Sequence, residues 1–178
     1  IHIFRGIEAN IMDVEGSTDI PKSLIPKFDL ISIGFHFCGL PQNGSETENT
    51  RALRNTLKSN PVDLLTHPCI DTYPLDIPAL IDLAEEYGFA LEINNTNLRV
   101  TKTNLFKLEQ MIRLALQRNI PLVETSDGHT FLEIGENEKV NDFLQNLALD
   151  GDTFLINRLD ERLQKFIDSR KTKRQFYQ

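Results

Sequence analysis

Five nearly continuous apolar runs recur along the chain and alternate with segments of helical periodicity. Rich in Ile, Leu, Val and Phe, they are IHIFRGIEA, FDLISIGF, VDLLT, FALEIN and IPLVETS. Runs of this kind are typical of strands that are covered on both faces. Strands that alternate with helices indicate βαβ units and a parallel sheet, so we expect an α/β fold.

Capping residues predict where two of the helices begin and end. Ser45 and Glu48 form a capping-box pattern ahead of the segment TRALRNTLKS. Asp76 precedes IPALIDLAEEY as a candidate N-cap, and Gly88 follows it as the glycine expected after a helix. Both segments are therefore predicted to be helical.

The second half of the chain contains three more helical patterns. NLFKLEQMIRLALQRN has apolar residues at helical spacing, and VNDFLQNLA and the amphipathic NRLDERLQKFIDSR follow it. Thr130 and Glu133 form another possible cap, for the stretch directly after them. Near the start of the chain, MDVEGSTDIPKS predicts a loop.

Polar side chains stand at the predicted carboxyl ends of the strands. Ligand sites of parallel α/β folds collect at this edge of the sheet. Three of the four histidines of the chain are among these side chains, together with two carboxylates. The candidate site residues are Glu8, His36, His67, Asp127 and His129.

Imidazole and carboxylate ligands together suit zinc, manganese or iron. A carboxylate such as Glu8 can bridge two cations, and neutral histidines can complete their shells. Alternation along a strand places Glu8 on the same face as Gly6, and His36 on the same face as Ser32 and Gly34. Small residues beneath the ligands would leave room for them inside a barrel.

Less specific interpretations stay open for these side chains. A histidine at a strand end is often only hydrogen-bonded, and His2, at the opposite end of its strand, is interpreted as structural. Glu92 and Asn94 are weaker candidates that could simply bond neighbouring loops.

A second metal site is chemically reasonable, because each of two histidines is followed two residues later by a cysteine. It would be a His₂Cys₂ zinc site made of His36, Cys38, His67 and Cys69.

Composition narrows the class of protein. The 178 residues, 40% hydrophobic and 25% charged, suit one globular domain. A net charge of −7 argues against a nucleic-acid footprint over the whole surface. No apolar run approaches the roughly 20 residues of a membrane span, and no signal peptide is visible. Two cysteines do not make a disulfide scaffold, which favours a cytoplasmic location.

Five short motifs resemble the PHP family, the polymerase-and-histidinol-phosphatase domains, and are closest to its stand-alone bacterial phosphoesterase-like branch. RGIEANI, GFH, THP, ALEINN and SDGH occur here in the family's order, and the resemblance extends from the first residue to about Arg170. It implies a PHP barrel domain over residues 1–170, and the residues that follow, 171–178, are a basic tail. The implied fold is a distorted, TIM-like (β/α)₇ barrel of parallel strands.

The resemblance also implies a metal cluster of up to three divalent ions at the mouth of the barrel. Glu8 would be shared between two of the ions, and His36 and His67 would complete the shell of one of them. Asp127 and His129 would serve the remaining ions.

The chain departs from the family at its start. It begins without methionine inside an apolar pattern, and it lacks the H-x-H strand end of the family. Five strands are also too few to close such a barrel. We therefore expect a chain that lacks the first βα units, in which only the ligand set of Glu8, His36 and His67 is complete.

The function implied is hydrolysis of a small phosphate ester or nucleotide by metal-activated water, with Glu8, His36, Asp127 and His129 as catalytic groups. A nucleic acid would enter only as a substrate. Because ligands are missing, we expect weak metal retention and little turnover from this chain alone. The alternatives are a degenerate, non-catalytic barrel that acts as a binding module, and a metal-dependent barrel of the amidohydrolase type.

Overall fold

The structure, a computed structural model, describes residues 3–174 and contains one parallel sheet in that range. Each predicted apolar run overlaps one of its strands, which confirms the α/β prediction, and the first strand extends one residue beyond its run, to Asn10. The strands are β1 (Gly6–Asn10), β2 (Leu30–Gly34), β3 (Leu64–Leu65), β4 (Ala90–Asn94) and β5 (Leu122–Thr125).

Strand order in the sheet follows chain order, β1-β2-β3-β4-β5, and every neighbouring pair is parallel. The register places Glu8 beside Ser32, and Glu92 beside Val123. This order has no reversal point, unlike that of a doubly wound sheet. A βα barrel has the same sequential order, but the seven-unit barrel itself stays a prediction.

Seven α-helices connect and follow the strands in the described range. They are α1 (Glu46–Ser59), α2 (Ile77–Tyr87), α3 (Asn95–Arg99), α4 (Leu105–Gln117), α5 (Glu138–Asn146), α6 (Gly151–Phe154) and α7 (Asp160–Arg174). The capping box of Ser45 and Glu48 is present at α1, and Asp76 caps α2 through the backbone N–H of Ala79. Gly88 ends α2 in the left-handed conformation, as predicted.

Local structure differs from the sequence prediction in two loops. Lys22–Lys27 forms a short 3-10 helix whose first two residues lie within the predicted loop. The carboxylate of Glu133 accepts hydrogen bonds from the backbone N–H groups of His129 and Thr130, but a turn follows instead of a helix. The predicted cap is wrong in this respect, because α5 begins only at Glu138. Gly135, at φ 84°, lies in the intervening turn.

Alternation along the strands separates two faces of the sheet. Ala9, Ile33 and Leu91 belong to the apolar core, which they share with residues of α1, α2 and α4. The opposite face carries Gly6 and Glu8, two positions apart on β1. On that face lies a cavity of about 420 Å³, whose lining includes Gly6, Leu30, Leu64, Leu163, Phe166 and Ile167.

The helix α7 is fastened across the amino end of the sheet. Asp63, fully buried just before β3, forms ion pairs with Arg170 and Arg174 of α7. Arg170 also donates to the carbonyl oxygens of Val62 and Tyr87. The helix thus continues through the boundary predicted at residue 170, and Arg174 is buried. Residues 175–178 and His2 lie outside the described residues, so the end of the predicted basic tail and the structural role predicted for His2 stay predictions.

Within residues 3–174, no helix combines the length and the apolar content that crossing a bilayer requires.

Candidate metal centre

Three side chains from three neighbouring strands converge at the carboxyl edge of the sheet. Glu8 belongs to β1, and His36 and His67 each follow the last residue of a strand by two positions. Glu8 Oε1 lies 3.1 Å from His36 Nε2 and 3.5 Å from His67 Nε2, and the two Nε2 atoms are 3.0 Å apart. Among the described residues, these three form the group with metal-ligand geometry.

The triangle of ligand atoms has the size that a small divalent ion requires. Donor atoms held about 2.0–2.1 Å from one tetrahedral zinc ion lie roughly 3.3–3.4 Å from one another. The three observed separations, 3.0, 3.1 and 3.5 Å, bracket that value. One carboxylate and two imidazoles are also a ligand set that such ions accept. The residues therefore fit a divalent metal.

The two imidazoles constrain each other's protonation. At 3.0 Å, His36 Nε2 and His67 Nε2 cannot both carry a proton directed at the other, because the two N–H groups would repel. Unless both rings donate their Nε2–H to Glu8, at least one Nε2 lone pair points into the space between them. A lone pair beside a carboxylate oxygen is what a cation binds.

The absence of a side chain at Gly34 provides the space that the His36 imidazole occupies. A Cβ atom at this position would come within 2.4 Å of Thr66 Oγ1 and 2.6 Å of His36 Cε1. Thr66 itself donates a hydrogen bond of 2.7 Å to Glu8 Oε1. The predicted role of small residues beneath the ligands thus has a direct steric basis at Gly34.

The charges around Glu8, His36 and His67, called the triad below, favour a cation. Hydrogen bonds from His36 and His67 hold the pKa of Glu8 well below its usual range, against the opposing effect of burial, so Glu8 is ionised at neutral pH. Burial alone would lower the pKa of His67, but the hydrogen bond to Glu8 and the negative charges of Glu92, Glu8 and Asp127 raise it. The same negative field that attracts a proton to His67 would attract a metal ion.

Asp127 is tied to the triad through β4. Glu92 accepts a hydrogen bond of 2.5 Å from the backbone N–H of His67 and one of 3.1 Å from the amide of Asn94. That amide also donates to Asp127 Oδ2 at 3.1 Å. Burial raises the pKa of the Glu92 carboxyl, although His67, Thr125 and Asn94 partly offset the effect. Glu92 and Asn94 therefore bond neighbouring loops, as the weaker interpretation expected, and these loops carry two candidate ligands.

His129 lies on the exposed loop after β5. Its Nδ1 is 3.0 Å from the carbonyl oxygen of Asp127, so Nδ1 carries the proton and donates it. In the neutral ring, Nε2 is then the atom with the free lone pair. Asp127 and His129 are not members of the three-residue group in the described part of the chain, and their predicted role as ligands stays a prediction.

The alternative site with two cysteines is not formed. Cys69 is buried, with its Sγ 3.7 Å from the sulfur of Met111, and burial raises its pKa to about 12. Cys38 is exposed. Neither thiol joins the group formed by His36 and His67 in residues 3–174.

Sequence reasoning missed the two threonines that support the site. Thr66 donates to Glu8, and the hydroxyl of Thr125 donates to Glu92 at 2.6 Å. Each stands within or beside a motif that was recognised, directly before His67 and two residues before Asp127. Only the alternation of faces along VDLLT and IPLVETS could have indicated that they turn toward Glu8 and Glu92.

Known proteins resemble the chain over most of its length. A probable phosphatase of Shewanella sp. (strain ANA-3) is 34% identical over 171 residues, which are 96% of this chain and 67% of the relative. A probable phosphatase of Caldanaerobacter subterraneus is 31% identical over 173 residues, with 96% of this chain and 68% of the relative covered. The chain thus spans about two thirds of the length of these relatives. No family model matches it.

Structural likeness supports the fold alone. A chain in the cryo-EM structure of archaeal ribonuclease P with mature tRNA matches with a TM-score of 0.60 and 20% sequence identity. The match covers 97% of this chain and 71% of that chain.

Proposed function

The chain belongs to the family of the probable phosphatases of Shewanella and Caldanaerobacter, and we propose that it is the metal-binding part of a metal-dependent phosphoesterase of the PHP type. The proposal is carried by the convergence of Glu8, His36 and His67 within 3.5 Å. The substrate we propose is a small phosphate ester or nucleotide.

Three side chains would hold the first cation. Glu8 contributes a carboxylate that is ionised at neutral pH, and His36 and His67 contribute Nε2 lone pairs. A divalent ion at this position supplies neutralisation of phosphate charge and activation of water for attack on phosphorus. Zinc, manganese and iron all accept this ligand set.

Asp127 and His129 complete the proposed site from the last strand. Asn94 orients the Asp127 carboxylate through its side-chain amide. The backbone carbonyl of Asp127 holds His129 with its proton on Nδ1. Nε2 can therefore accept a metal ion or, when the ring is protonated, donate a proton to the leaving oxygen of the ester.

The names of the relatives favour a phosphate ester over an amide as the substrate. A binding module without catalysis is distinguished from the enzyme by metal content, because a relic site would not retain ions at stoichiometric amounts. Small size of the substrate is consistent with a net charge of −7, which would repel a long polyanion.

The test is metal content followed by activity. Protein purified without added metal is analysed for zinc, manganese and iron, then titrated with Zn²⁺ or Mn²⁺ by calorimetry. Hydrolysis of p-nitrophenyl phosphate is measured with this chain and with the full-length protein. We expect weak binding by the triad of this chain with little turnover, and near-stoichiometric metal with metal-dependent hydrolysis in the full-length protein.

Glu8→Gln is the decisive variant, because it removes the charge shared by the ligands while keeping the shape of the side chain. It should abolish metal-dependent hydrolysis, whereas Glu109→Gln, which alters an exposed carboxylate of α4 paired with Arg113, should not. Hydrolysis at the wild-type rate in Glu8→Gln would contradict the proposed site.

A further inference from the structure

Two candidate ligands lie at positions where the backbone adopts an uncommon conformation. His67 has φ 33° and Asp127 has φ 47°. Residues that carry a Cβ atom rarely occupy this left-handed region unless the surrounding structure holds them there. Each of the two residues therefore needs a partner that fixes it.

One buried pair of side chains on β4 supplies both partners. Glu92 is 4% exposed, and its Oε2 accepts from the backbone N–H of His67 at 2.5 Å. Asn94 is 5% exposed, and its amide bonds Glu92 Oε2 and Asp127 Oδ2, each at 3.1 Å. The two side chains thus connect the loop after β3 to the loop after β5.

The polar atoms of Glu92 and Asn94 form their hydrogen bonds with other groups of the protein. Thr125 donates to Glu92 Oε1 at 2.6 Å, so both carboxylate oxygens already accept bonds. Asn94 Oδ1 accepts from the backbone N–H of Asn97 at 2.8 Å, which caps α3. Glu92 therefore has the environment of a support for ligands and not that of a ligand.

We propose that Glu92 and Asn94 are positioning residues that hold His67 and Asp127 in metal-binding geometry, with Glu92 acting chiefly through its hydrogen bonds and its charge contributing less. The inference rests on the proposed function in that it takes His67 and Asp127 to be metal ligands. Outer partners of this kind typically change metal affinity about 10–100-fold when they are removed.

Replacing Glu92 by Gln or Ala separates geometry from charge. In Glu92→Gln, the side-chain oxygen can still accept from His67 and Asn94, and the new NH₂ group can donate to Thr125 Oγ1. We expect Zn²⁺ affinity within about threefold of the wild type for Glu92→Gln, and a loss of about 10–100-fold for Glu92→Ala. Equal losses in both variants would overturn the role of hydrogen bonding, and no loss in Glu92→Ala would overturn the proposal altogether.

Asn94→Ser provides a second test of the proposal in case Glu92→Ala does not fold. Serine caps helices about as well as asparagine, so α3 keeps its cap, whereas the amide bonds to Glu92 and Asp127 are lost. We expect a lower Zn²⁺ affinity in Asn94→Ser, in a protein that keeps the wild-type circular dichroism spectrum and still melts cooperatively. An unchanged affinity in this variant would contradict the role given to Asn94.

A measurement on the metal-free protein distinguishes failure of this inference from failure of the proposed function. The backbone amide proton of His67 should resonate far downfield and exchange slowly in the wild type and in Glu92→Gln, but not in Glu92→Ala. If the protein binds no Zn²⁺ yet shows this pattern, the proposed function fails and the support by Glu92 stands. If the His67 amide is the same in all three proteins, the support by Glu92 is wrong whatever the metal content.

Discussion

The two ends of the sheet both gather charged side chains, but they balance them differently. At the amino end, Asp63 is fully buried and forms ion pairs with Arg170 and Arg174 of the same chain. At the carboxyl end, Glu8 faces two imidazole nitrogens that lie 3.0 Å from each other. The first group contains its own cations, whereas the second places three potential metal-ligand atoms around a common point.

The difference separates a group that stabilises the fold from one that is suited to bind a ligand. Asp63 Oδ2 also accepts a hydrogen bond from the backbone N–H of Ile31. The carboxylate is therefore fully paired with donors of the protein itself. The Glu8 cluster gains most from a cation that comes from outside. Mutations at the amino end should therefore change folding, and mutations at the carboxyl end should change metal binding.

The largest expected effect is the loss of Asp63. Asp63→Asn leaves two buried guanidinium groups without their shared counter-charge, which should lower the free energy of unfolding by about 3–5 kcal/mol. Urea denaturation followed by circular dichroism measures the change. Asp82→Asn is the matched control, because Asp82 pairs with Arg118 on the surface and should cost less than about 1 kcal/mol. Similar costs for the two variants would contradict the contrast between buried and exposed pairs.

Metal ions should stabilise the protein through the other end of the sheet. A ligand present at 100 times its dissociation constant adds about 2.7 kcal/mol of stability, which corresponds to a rise of roughly 5–10 °C in the melting temperature of a domain of this size. In His36→Ala this rise should vanish, while the metal-free melting temperature stays nearly the same. Differential scanning fluorimetry with and without Zn²⁺ gives both numbers, and an undiminished rise in His36→Ala would refute the site.

Substitutions of two glycines on one face of the sheet test where the metal site lies. Gly34→Ala would place a methyl group against Thr66 and His36, and we expect metal affinity to fall about tenfold, or about 1.4 kcal/mol. Gly6→Ala is the control, since its new Cβ would meet Leu30 only at ordinary contact distances of 3.7–4.0 Å. Calorimetric titration of both variants should show a loss for Gly34→Ala alone.

The smallest effect concerns a carboxylate at the amino end that is paired at the surface. Hydrogen bonds from Lys171 and from the backbone N–H of Arg5 lower the pKa of Asp29 from 3.8 to about 2. Because the pKa is lower in the folded state, the stabilisation is present above about pH 4 and is lost as the pH falls toward 2. Asp29→Asn should remove this part of the acid sensitivity, by less than about 1 kcal/mol in urea midpoints compared between pH 5 and 2. Parallel pH profiles of the two proteins would show that the pair contributes nothing.

Local patterns in the sequence predicted most of the elements. The capping box at Ser45, the N-cap at Asp76 and the glycine after α2 are all where they were expected, because a cap depends on residues a few positions apart. The turn after His129 was not predicted, although Glu133 accepts the bonds that a cap would require. Such bonds also stabilise isolated turns, so the pattern alone does not specify a helix.

The sequence by itself determined the parallel α/β class and the side chains that stand at the strand ends, since alternation and apolar runs follow from local periodicity. It also singled out Glu8, His36 and His67 before any distance was known. Only the tertiary structure decided that these three meet, that Thr66 and Glu92 support them, and that Arg170 and Arg174 are buried against Asp63. The physical reason is that each of these contacts depends on strand register and on packing between residues far apart in the chain, which no local pattern encodes.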